Sequence, residues 1–244
     1  MENSTIADAV RSLYERGYCV VERAHDTVAV NHQEQLLYAE WERRGKPALT
    51  GFGMAIHPLV QHVPEIAPYF DTPAVNEILD AAFGDRTRLC HTGARMASQD
   101  SAENIGWHDH YGWDKAQVTG RTRIERVVVN YYVKGVSPEL GSLWVIPRQV
   151  GDPFAPPLGE RTTGWPDQVE VGVPPGSAVI LDTTLYHTAT RGSVPGMRYH
   201  WGGHYQGWSD PRPHGEDMDM SGLGRQEELM KKYPGLKRLV LQDD

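Results

Sequence analysis

The sequence predicts a mainly β protein with a helical N-terminal third, and three observations carry that expectation. Glycine (25) and proline (17) are abundant enough in 244 residues to supply many turns. From Arg86 to about Tyr205, short runs of β-type residues alternate with Gly/Pro/Asp/Ser clusters. No helical pattern interrupts those runs, which favours an antiparallel sandwich or barrel over βαβ units.

Residues 1–85 read as helical support. Thr5 is placed to cap a helix through Ala7, Val10, Leu13 and Tyr14, apolar on one face. Tyr18-Cys19-Val20-Val21, after Gly17, reads as a short strand. A second helix is expected from Asn31 to Gly45 around Leu36, Leu37, Ala39 and Trp41. Two shorter ones follow, at Pro64-Glu65-Ile66 and from Ala74 to Phe83, and Gly84-Asp85 closes the region. Within the core, residues 86–205, strands are expected at Arg88 to Cys90, Val127 to Val133, Ser142 to Ile146, Gln168 to Val171, Ala178 to Leu181 and Arg198 to Gly202. Pro153 to Pro166 reads as a long loop, and long loops are commonly functional. The tail, 206–244, is polar from Ser209 and leads to a helix from Gln226 to Tyr233, broken at Pro234. All of 1–244 is expected to form one domain, because the leading helices alone would struggle to build a separate core.

Composition narrows the function classes. A hydrophobic fraction of 39% supports a packed core and excludes disorder as a class. No apolar run approaches the roughly 18–20 residues of a membrane helix, so no membrane association is expected. The first residues show neither a basic nor an apolar signal region. A net charge of −8 argues against nucleic acid as a partner. Cys19 and Cys90 make neither a disulfide framework nor a zinc quartet and read as buried small residues, so a reducing cytoplasm is the expected location. Seven tryptophans and 11 histidines remain as a surplus that points to a site.

That surplus concentrates at Gly106-Trp107-His108-Asp109-His110-Tyr111-Gly112-Trp113-Asp114. In a strand, His108 and His110 share one face and Asp109 takes the other. Two imidazoles at i and i+2 can bind one metal ion, and His187, after the strand Ala178 to Asp182, is the best third ligand. Three ligands on one side of an ion leave positions open for a bidentate cosubstrate and oxygen. Arg198 follows His187 after a hairpin-like interval, and its planar guanidinium suits the far carboxylate of a dicarboxylate.

At these residues the chain resembles the phytanoyl-CoA dioxygenase-like family of Fe(II)/2-oxoglutarate-dependent oxygenases. Trp107-His108-Asp109-His110 is similar to its Trp-His-x-Asp motif. Leu140-Gly141-Ser142-Leu143-Trp144-Val145-Ile146-Pro147 is similar to its Asn-Gly-x-Leu-x-Val-Ile-Pro segment. Gly176 to Asp182, His187 and Arg198 resemble its third segment, distal histidine and cosubstrate arginine. The resemblance implies a double-stranded β-helix, a cupin-like jelly-roll, whose lumen holds Fe(II). It implies 2-oxoglutarate bound by the metal and Arg198, molecular oxygen as co-reactant, and oxidation of a small-molecule substrate by hydroxylation or ring closure. The compact chain resembles members that tailor bacterial antibiotics, sugar-containing ones among them, so a carbohydrate-containing substrate is one expectation.

One departure stands out, because the family has a carboxylate where this chain has His110. His110 is read first as the third ligand of a three-histidine site. Asp109 is the alternative ligand. In a third reading His110 takes the first-histidine role and Gly112 the carboxylate position, as in related halogenases. Asn130 and Tyr132 are expected to face the lumen if Val129 and Tyr131 pack outward. Thr190, His91 and Arg95 are candidates for the cosubstrate pocket, and His200 and His204 for its flanks. Trp113, Trp144, Trp165, Trp201 and Trp208 fall in the β-rich part, where their faces suit apolar rings or sugars. The loop Val150 to Pro166 and the segment Gln206 to Glu216 are the expected covers. Two other classes stay open: a non-enzymatic metal- or sugar-binding jelly-roll, and a three-histidine dioxygenase that needs no 2-oxoglutarate.

Overall fold

The computed structural model describes residues 3–110, 121–152, 164–210, 223 and 226–241. Trp113, Gly112 and much of the two expected covers lie outside the described residues. Among those described, nine strands form two antiparallel sheets. They are β1 (Tyr18–Val21), β2 (Met54–Ile56), β3 (Thr87–Ser98), β4 (Arg126–Tyr132), β5 (Leu143–Val145), β6 (Val169–Glu170), β7 (Ser177–Asp182), β8 (His187–Ala189) and β9 (Met197–Gly207). The larger sheet runs β1-β7-β4-β9-β3-β2, and the smaller runs β6-β5-β8.

The helices are α1 (Asn3–Arg16), α2 (Thr27–Arg43), α3 (Leu59–His62), a 3-10 turn at Pro64–Phe70, α4 (Pro73–Phe83), α5 (Glu227–Lys232) and α6 (Pro234–Val240). Their apolar faces cover the outer face of the larger sheet. Leu13, Leu37, Ile66 and Ile78 share one core with Val127, Val129, Tyr131 and Trp201. A second core of Tyr18, Tyr132, Leu143, Val145, Val179 and Leu181 packs part of the space between the sheets. β4 and β7 thus have both faces occupied, which explains why their burial is nearly continuous.

Several expected boundaries shift, each for a local reason. Thr5 lies inside α1 rather than capping it. α2 starts earlier than expected, because Asp26 caps it by accepting from the backbone N–H of Ala29 at 2.8 Å. β3 and β9 run far past the short strands expected from Arg88 and Arg198, paired from Thr87 opposite Gly207 to Ser98 opposite Met197. Their Gly and Ala content lowers local β propensity, but the long mutual ladder overrides it. β2 and β8 are three-residue strands too short to carry a period. Pro234 ends one helix and opens the next, a position where its missing N–H costs nothing. Among the described residues no helix is long and apolar enough to cross a membrane.

Candidate metal centre

The segment 104–110 lies antiparallel beside β8 and the turn before it. Ile105 N–H donates to the Ala189 carbonyl at 3.1 Å, and His108 and His187 exchange both backbone hydrogen bonds at 3.0 Å. His110 N–H donates to the Thr183 carbonyl at 2.8 Å. The turn itself is pinned by Asp182, whose Oδ1 accepts from the Thr184 N–H at 2.9 Å and hydroxyl at 3.0 Å. Its Oδ2 pairs with buried Arg121 at 2.5 Å.

This pairing brings three imidazoles together. The potential ligand atoms of His108, His110 and His187 all lie within 4.8 Å of one another. Nε2 of His110 is 3.2 Å from Nε2 of His187, close to the roughly 3 Å between two nitrogens bound at about 2.1 Å to one ion. Nδ1 of His108 donates to the Gly106 carbonyl at 2.9 Å, and Nδ1 of His187 to the Leu185 carbonyl at 3.0 Å. A carbonyl oxygen only accepts, so each Nδ1 carries the hydrogen and each Nε2 presents its lone pair. Burial, then the neighbouring His110, lowers the His108 pKa to about 4. Burial, then His108, pushes His187 well below the usual imidazole range. Both rings are therefore neutral near pH 7, the state in which imidazole ligates a metal. Asp109 neither joins this cluster nor lines the adjoining cavity.

The cavity, of about 300 Å³, lies between the two sheets. Strand alternation decides its lining. Val128, Asn130 and Tyr132 of β4 face it, as do Arg198, His200, Gly202 and His204 of β9. The intervening Val127, Val129, Tyr131, Tyr199 and Trp201 pack under the helices. Arg198 is 6% exposed. Its Nη1 donates to the Thr190 carbonyl at 3.1 Å, its guanidinium lies over the Tyr132 ring at 5.4 Å, and among the described residues Nε and Nη2 have no hydrogen-bond partner. Thr190 is itself held by Ser142, whose N–H donates to its hydroxyl at 3.0 Å. Gly141 makes room here. A Cβ on it would stand 2.5 Å from the Thr190 carbonyl oxygen and 3.0 Å from Arg198 Nη1, and its φ is +107°.

His91 lines the cavity beside His204, six residues along β9 from Arg198. At about 3.3 Å per residue that is roughly 20 Å of strand, too far for both to share one carboxylate. His91 Nε2 instead lies 3.1 Å from Nδ1 of His57. His57 and Arg126, neither of them foreseen, belong to the same surroundings. Arg126 is fully buried and donates to Nδ1 of His204 at 3.1 Å, whose ring lies 5.2 Å from that of His110. An arginine at the start of a β run gives no local signal of this role. Among the described residues no tryptophan lines the cavity, so Trp144, Trp165, Trp201 and Trp208 do not offer their faces to a ligand there. Trp201 stacks on Tyr131 at 4.4 Å within the helical core, and Arg86 lies over Trp208 at 4.9 Å. Cys19 and Cys90 are buried, and burial pushes the Cys19 thiol up to about 12.

No family model matches this sequence, and no curated protein matches it. The fold does have solved counterparts. HygX from Streptomyces hygroscopicus, solved with nickel and 2-oxoglutarate, aligns with a TM-score of 0.69 at 17% identity over 83% of this chain and 87% of its own. The non-haem α-ketoglutarate-dependent carbocyclase SnoK from nogalamycin biosynthesis aligns at 0.64 with 18% identity, over 87% and 92%. The epimerase SnoN of the same biosynthesis aligns at 0.64 with 13% identity, over 89% and 96%. At these identities the likeness establishes a shared fold across nearly the whole of each chain.

Proposed function

We propose that this chain is a non-haem Fe(II)/2-oxoglutarate-dependent oxygenase with a single-domain jelly-roll core, acting on a small natural-product molecule. One observation carries the reading: a cluster of three histidines lines the same cavity as buried Arg198, whose Nε and Nη2 have no hydrogen-bond partner among the described residues. The donor set fits the metal, since imidazole nitrogens suit iron and two of the three rings are already oriented through Nδ1. Arg198 fits the cosubstrate, because a buried guanidinium with two free N–H groups matches a carboxylate. The solved proteins of the same fold support both assignments and direct the substrate class toward natural-product tailoring.

In this reading His108, His110 and His187 hold Fe(II), and Arg198 holds the far carboxylate of 2-oxoglutarate. Iron, 2-oxoglutarate and molecular oxygen together supply the oxidising power for hydroxylation or ring closure. The residues of the chain do the positioning. Gly106 and Leu185 fix two imidazole tautomers, Thr190 fixes the guanidinium, and the apolar wall from Val128 and Leu143 limits water at the site. Asn130 and Tyr132 project into the same space and are placed to touch cosubstrate or substrate. Asp109 remains outside the ligand set.

Anaerobic titration of the Fe(II)-loaded protein with 2-oxoglutarate tests this reading. The expected result is a metal-to-ligand charge-transfer band that saturates with one equivalent and weakens strongly in Arg198→Ala. No band while iron is demonstrably bound overturns the proposal and favours a site that binds its substrate without 2-oxoglutarate.

A further inference from the structure

The cavity holds more positive charge than 2-oxoglutarate can neutralise. Its lining among the described residues includes Arg95, Arg191 and Arg198 but no Asp or Glu, within a chain of net charge −8. Three neutral imidazoles leave the full double charge on a ferrous ion, where a carboxylate ligand would have halved it. With Arg95 and Arg198 the site carries about four positive charges, and a doubly charged 2-oxoglutarate leaves about two. Uncompensated charge in a partly water-excluded space is unfavourable unless an anion accompanies it.

Arg95 is where that anion fits. Its Nε donates to the Phe52 carbonyl at 2.6 Å, its guanidinium lies over the Phe52 ring at 5.4 Å, and its buried Nη2 has no hydrogen-bond partner among the described residues. Burial, then the charge of Arg198, lowers its pKa, as expected of two like charges without a counter-ion. On β3, Arg95 stands opposite His200, whereas Arg198 on β9 stands opposite Ala97, two pairs further along, so the two arginines are diagonal neighbours on one face of the sheet. The cavity wall beside Arg95 is completed by Gly51, Phe52, Gly53 and Ala55, and Phe52 is 64% exposed. An aromatic face and a second guanidinium therefore adjoin at the cavity wall, diagonal to Arg198.

We propose that Arg95 recognises a carboxylate of the substrate, with Phe52 as the apolar face beside it, so that the enzyme selects carboxylated small molecules. This rests on the iron/2-oxoglutarate reading, because the charge count includes both groups.

The test uses Zn(II)-loaded full-length protein saturated with 2-oxoglutarate and equilibrium dialysis of matched pairs: benzoate and benzamide, phenylacetate and phenylacetamide, indole-3-acetate and indole-3-acetamide. At least one acid is expected to bind tenfold or more tightly than its amide. That preference should vanish in Arg95→Gln, while 2-oxoglutarate affinity stays within threefold of wild type. Acids and amides binding alike to the wild type, or no acid binding at all, overturns the proposal without any variant. Loss of 2-oxoglutarate affinity in a folded Arg95→Gln, as large as in Arg198→Ala, also overturns it and returns Arg95 to the cosubstrate. Failure of 2-oxoglutarate to bind strikes the oxygenase reading itself, whereas 2-oxoglutarate binding without acid preference strikes only this inference.

Discussion

The backbone carbonyl of Thr190 holds Arg198 through Nη1 at 3.1 Å, and among the described residues the buried Nε and Nη2 of the same guanidinium have no hydrogen-bond partner. One bond fixes the plane and the other edge stays available, which is the arrangement a bidentate carboxylate site needs.

Replacing Arg198 by Ala or Lys should therefore weaken 2-oxoglutarate binding without disturbing the metal. Charge-assisted hydrogen bonds contribute about 1.5–3 kcal/mol, or roughly 10- to 100-fold in Kd. Lys should recover little, because a point charge lacks the fork. Calorimetric titration of 2-oxoglutarate and of metal, each on both variants, separates the two effects.

Gly141→Ala tests the same site from its backbone. The added Cβ meets the Thr190 carbonyl and Arg198 Nη1 at a φ of +107°, and such strain costs on the order of 1–3 kcal/mol. A fall of several degrees in Tm is expected, together with weaker 2-oxoglutarate binding. Unchanged values of both would show that this loop moves aside freely.

At the metal, His110→Ala should lower Fe(II) or Co(II) affinity by at least tenfold, whereas His110→Asp should retain it, since either side chain can donate one ligand atom. Asp109→Ala should leave affinity within threefold. A reversal between positions 109 and 110 in metal titration would identify the carboxylate as the third ligand.

Away from the site, His25 predicts the acid limb of stability. It stacks on Tyr131 at 4.8 Å, and burial is the main cause that lowers its pKa from 6.5 to about 4. Between those values the unfolded chain binds a proton that the folded chain excludes. Its contribution is thus complete above pH 6.5 and is lost as pH falls toward 4, on the order of 3 kcal/mol in all. In His25→Gln, the drop in Tm from pH 7 to pH 5 should be smaller than in the wild type.

Local pattern was enough to mark the helical start, the β-rich middle and the alternation that turns Asn130 and Tyr132 away from Val129 and Tyr131. It also singled out His108, His110, His187 and Arg198, because two histidines at i and i+2 and an arginine after a hairpin interval are short-range signals. The extent of β3 and β9 was not legible, since their Gly- and His-rich strands are held by pairing to each other and not by propensity. The same holds for Arg95, whose partner Phe52 lies 43 residues away, and for Arg126 on His204, separated by 78.

By itself, then, the sequence singled out the candidates: two histidines on one face of a strand, a third after a later strand, and a planar cation downstream. The tertiary structure decided what surrounds them. Only the pairing of 104–110 with β8 brings Nε2 of His110 to 3.2 Å from that of His187. Only the closure of two sheets over the cavity collects arginines from β3 and β9 without an acidic partner among the described lining residues. Periodicity along a chain fixes the face a side chain takes, whereas charge balance in a cavity depends on strands far apart in sequence that meet only on folding.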